Sequence, residues 1–71
     1  MKYQIVVDTP KGVIFGKVSE LTEDQVLEVK EALNRIVQES DRFSVETEEG
    51  EVFMSKQMIQ QSLFMLKAVE D

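Results

Sequence analysis

Four glutamates fall within six residues, Glu46, Glu48, Glu49 and Glu51. Hard cations seek several oxygen ligands close together, so this is the first place to look for a metal. The spacing argues against one. Strand alternation on either side of a turn at Gly50 splays the carboxylates apart, and the aspartate-rich loop of a calcium site is missing. Paired carboxylates also perform acid/base chemistry in glycosidases, but no pair is singled out here, and so small a domain has little room for a substrate cleft. Ser19, Ser40, Ser44, Ser55 and Ser62 are potential nucleophiles without a histidine to activate them, which leaves only unusual Ser-Lys arrangements. With no cysteine and no histidine in the chain, thiolate, zinc-finger and imidazole chemistry are excluded together. The expectation is a protein that is not an enzyme and has no cofactor and no metal; a small metal-dependent enzyme is the remotest alternative.

The elements that hold these side chains follow from an internal repeat. Val7 to Phe15 (VDTPKGVIF) overlays Val45 to Phe53 (VETEEGEVF) at a constant offset of 38, with Val, Thr, Gly and Phe identical and the acidic second position kept. Each copy reads as a β-hairpin. Its glycine stands where a turn needs positive φ, and Pro10 occupies a turn position whose φ it already has. Tyr3 to Asp8 and Val13 to Val18 are the expected first pair of strands. If Thr9 closes against Val13, then Tyr3, Ile5, Val7, Val13 and Phe15 line the core side, and Val6, Ile14 and Val18 point the other way.

Thr22 with Gln25 three positions on forms a capping box, and Glu23 and Asp24 suit the positive end of a helix dipole. A helix over roughly Glu23 to Gln38 follows, with Val26, Val29, Leu33, Ile36 and Val37 on its apolar stripe. Ser55 is the expected N-cap of a second helix running to about Ala68, with Met58, Ile59, Leu63, Leu66 and Val69 as its main stripe. Phe64 and Met65 widen that arc beyond what one core contact needs. The fold class expected is therefore α+β, two ββα units (about 1–38 and 39–71) sharing one core within a single domain.

A chain of 71 residues has a thin stability margin, so oligomerisation is a ready source of further burial. Val6, Ile14, Val18, Val52 and Met54, on the sheet face assigned away from the core, with Phe64 and Met65 on the last helix, are the expected interface residues. They fit a partner protein of unknown identity and a homodimer. Fourteen acidic against eight basic side chains give a net charge of −6, which repels a phosphate backbone and argues against direct nucleic-acid binding. The same carboxylates permit an alternative, an inhibitor that mimics nucleic acid and blocks a basic DNA- or RNA-binding surface. No apolar run approaches the roughly 18 residues of a membrane span, and the first residues do not lead into a signal-peptide core, so no membrane partner is expected and the expected location is cytoplasmic.

Phe43 to Phe53 (FSVETEEGEVF), followed by Ser55-Lys56-Gln57 and Ile59-Gln60-Gln61-Ser62, resembles the C-terminal half of small acidic proteins encoded by bacteriophages and prophages. The resemblance implies an accessory phage protein that binds a host or phage protein, and it brings no catalytic residues.

Overall fold

The computed structural model describes residues 1–70. The elements run β1 (Lys2–Thr9), β2 (Gly12–Phe15), β3 (Ser19–Glu20), α1 (Glu23–Glu39), β4 (Arg42–Thr47), β5 (Gly50–Ser55), α2 (Lys56–Gln60) and β6 (Leu63–Val69). The class is α+β with antiparallel pairing throughout. β1 is the central strand of a four-stranded sheet. β6 runs along one side of it from Lys2↔Val69 to Asp8↔Leu63, while β2 and the short β3 share its other side. β4 and β5 form a separate two-stranded sheet.

The repeat survives in three dimensions as two hairpins with the same turn. Thr9 pairs with Gly12 and Thr47 with Gly50, each across a two-residue tip. In the first, the Lys11 N–H donates to the Thr9 hydroxyl at 3.1 Å, and that hydroxyl donates to the Gly12 carbonyl at 2.7 Å. In the second, Glu49 and Gly50 repeat both bonds around Thr47 at 3.2 and 2.8 Å. Gly12 and Gly50 have φ of +139° and +142°, a region that L side chains rarely adopt, which is the backbone reason for glycine at both places.

The closure at Gly12, one residue earlier than Val13, corrects the expected register and turns β2 over. Val7 pairs with Ile14 and Val6 with Phe15. Ile14 therefore joins Ile5 and Val7 on the inner face, whereas Val13 and Phe15 stand on the outer one. In the second hairpin Phe43 pairs with Met54 and Val45 with Val52, which places Val52 and Met54 inward as well. The core is the meeting of these inner faces. Val7, Val45, Met54 and Ile59 are its buried centre, with Ile5, Ile14, Phe43, Met58 and Phe64 packed around them. The Phe43 and Phe64 rings lie 5.6 Å apart and tilted at 58°, a favourable aromatic geometry.

Helix α1 forms as its cap dictates. The Gln25 N–H donates to the Thr22 hydroxyl at 3.2 Å and the Thr22 N–H to the Gln25 side-chain carbonyl at 2.9 Å, and the helix buries Val26 and Leu33. Leu33 and Val37 approach Phe64 and Leu66 of β6, so α1 lies on the inner side of the sheet.

The second helix begins at the expected cap, where the Met58 N–H donates to the Ser55 hydroxyl at 3.3 Å, but it ends after five residues. The Ser62 hydroxyl donates to the Met58 carbonyl at 2.6 Å, the Ser62 N–H bonds the Ile59 carbonyl, and the chain leaves as strand. This overturns the ββα-ββα order. A segment apolar on both sides satisfies either periodicity, and seven paired positions along β1 decide it in favour of a strand. Phe64 and Met65, in excess on a helix, are ordinary neighbours on opposite faces of β6.

The two sheets are stitched at one corner. The Gly16 N–H donates to the Ile5 carbonyl at 2.8 Å and the Lys17 N–H to the Glu46 carbonyl at 3.0 Å, which carries the chain from the first sheet across to β4. Gly16 is buried there, and a Cβ on it would stand 3.0 Å from the Ile5 carbonyl oxygen and 3.3 Å from Val45 Cγ1.

Candidate interaction surface

On the outer face of the larger sheet, register brings together side chains from three strands. Phe15, Val6 and Met65 form one cross-strand row, and Val13, Asp8 and Leu63 form the next. Val6 is buried within its row, but its neighbours are open: Val13 is 50% exposed, Phe15 55%, Leu63 62% and Met65 42%. The third row along, Gln4 with Lys67, ends the apolar stretch with polar groups. The result is an apolar strip with Asp8 toward one end and Lys67 at the other. Each residue is there for a local reason, since the Thr9–Gly12 turn sets the phase of β2 and the Ser62 cap sets the phase of β6.

The seven residues grouped by sequence as contact candidates separate in space. Val6 and Met65 belong to the outer face. Ile14, Val52 and Phe64 are half-buried on inner faces, and Met54 is part of the buried core. Val18 is exposed in the connection between β2 and β3, beside a shallow groove of about 350 Å³ that also touches Gln4, Ile14 and Val52. The ionisable lining of that groove is Glu48 and Glu49 at the second hairpin's tip. Sequence reasoning missed Val13, Phe15 and Leu63, and the signal that finds them is the loop length, because counting two residues between Thr9 and Gly12 fixes which way β2 faces.

Of the four clustered glutamates, Glu48 and Glu49 border the apolar strip, since Val13 and Phe15 line the same groove. Glu46 and Glu51 are direct cross-strand partners on the outer side of the second hairpin, with Lys17 Nζ 3.9 Å from the Glu46 carboxylate. Like charges placed opposite each other oppose the pairing. Among the described residues no three carboxylates converge as a metal site would require, and no helix is long and apolar enough to cross a membrane. No family model, curated protein or solved structure matches this chain.

Proposed function

We propose that this chain is a non-enzymatic protein-interaction domain whose contact surface is the outer face of the four-stranded sheet. The observation that carries the reading is the exposure of Val13 and Phe15 on β2 and of Leu63 and Met65 on β6, flanking β1 on one face of the sheet. An apolar patch with polar ends is the usual form of a protein contact site. The resemblance of residues 43 to 62 to phage and prophage proteins supports a role as a cytoplasmic accessory protein acting on a host or phage protein. Affinity capture from the producing cell tests the reading, with Phe15→Glu as the paired bait. The expected result is a protein retained by the native chain and lost from the folded variant. Equal retention by both removes this face from the function.

A second reading, a nucleic-acid mimic that occupies a basic groove, draws support from the exposed Glu46, Glu48, Glu49 and Glu51 of the second hairpin. Its partner would be released steeply as salt rises, and Glu48→Lys/Glu49→Lys would abolish capture where Phe15→Glu would not. Capture that resists salt sets this reading aside.

A further inference from the structure

The outer face has a feature that restricts what can cover it. The molecule measures 33 × 25 × 16 Å, and the apolar strip on this sheet is bounded by charged side chains.

The charges on the face are arranged for self-pairing. The row Phe15–Val6–Met65 lies midway between the row that holds Asp8 and the row that holds Lys67. A two-fold axis in the plane of the face, running along that middle row, exchanges the two ends. Each Asp8 then comes over the Gln4–Lys67 row of the second copy, and each Phe15 and Met65 meets its own equivalent. An axis along the strands would instead set Asp8 against Asp8. Glu48 and Glu49 line the groove that Val13 and Phe15 also border, so in a chain of net charge −6 the reciprocal Asp8–Lys67 attraction works against carboxylates at the rim of the contact. Resting on the reading of this face as a contact surface, we infer that its occupant is a second copy of the chain, packed sheet against sheet with strands aligned, with reciprocal Asp8–Lys67 pairs at the ends.

Sedimentation equilibrium of the full chain over a wide concentration range tests the inference, with circular dichroism to verify that each variant is folded. The native chain should dimerise, and Phe15→Glu should weaken the dimer about 30-fold or more, as loss of a central aromatic contact does. Asp8→Lys and Lys67→Asp should each weaken it about threefold at low salt, and the double variant should return to the native affinity. A native chain that stays monomeric at the highest concentration overturns the inference, as does a dimer indifferent to Phe15→Glu. So does a double variant weaker than both singles. A monomer that still loses a captured protein through Phe15→Glu would overturn only the second copy and leave the interaction domain standing.

Discussion

The two hairpins share a turn, a register and an inner face, yet their outer faces have opposite character. Ile5 and Val7 correspond to Phe43 and Val45, and Ile14 to Val52, all directed at one core. On the other side Val6 and Val13 correspond to Ser44 and Glu51, and β6 continues the apolar surface beside the first hairpin alone. The outer faces share only the phenylalanine, with Phe53 77% exposed where Phe15 is 55%, and the acidic position held by Asp8 and Glu46. The comparison teaches that the repeated residues specify backbone and core, while most of the unrepeated ones give the two outer faces their different surfaces.

The sharpest place to break the comparison is where the repeat fails on the inner side, at Gly16 and its counterpart Met54. Met54 fills the core, so Met54→Ala should cost about 3 kcal/mol in chemical denaturation. Gly16→Ala should cost about 1 to 2 kcal/mol for the opposite reason, since its Cβ presses on the Ile5 carbonyl. A stabilised Gly16→Ala variant would show that the corner is looser than its geometry. The two turns come next. Gly12→Ala and Gly50→Ala meet no neighbouring atom, so each should lose about 1 kcal/mol through backbone strain alone, and by nearly equal amounts. A wide difference in their denaturation midpoints would mean that the turns are not equivalent. Thr9→Val and Thr47→Val each remove two hydrogen bonds at an exposed tip, and about 0.5 to 1 kcal/mol is expected from thermal unfolding of either. The smallest effect probes the outer faces. Glu51→Lys should stabilise the second hairpin by about 0.5 kcal/mol by relieving its like-charge pair with Glu46. The matching substitution Val13→Lys should leave stability nearly unchanged and show itself in association instead.

What was legible in the sequence has a local physical cause. The turns follow from a threonine three positions before the glycine whose positive φ is needed, and α1 from a cap that satisfies its own N–H groups. Ser55 likewise marks where α2 begins. The strand nature of β6 was not legible, because Leu63 to Val69 is apolar on both sides and its conformation is decided by the unpaired edge of β1, at the far end of the chain. The exposed apolar strip was missed for a smaller reason. An error of one residue in where the first hairpin closes exchanges Ile14 for Phe15, and with them the inside of the sheet for the outside.

The adjacency of β1 and β6 also governs how fast the structure assembles. Lys2 and Val69 are side by side, so the most extensive strand pairing joins the stretches most remote in sequence, and its loop entropy is paid before any of its contacts form. A circular permutant that joins 69 to 2 by a short linker and reopens the chain between Ser40 and Asp41, in the connection from α1 to β4, would make that pairing a local hairpin and leave both existing hairpins intact. It should refold markedly faster than the native order while arriving at the same fold.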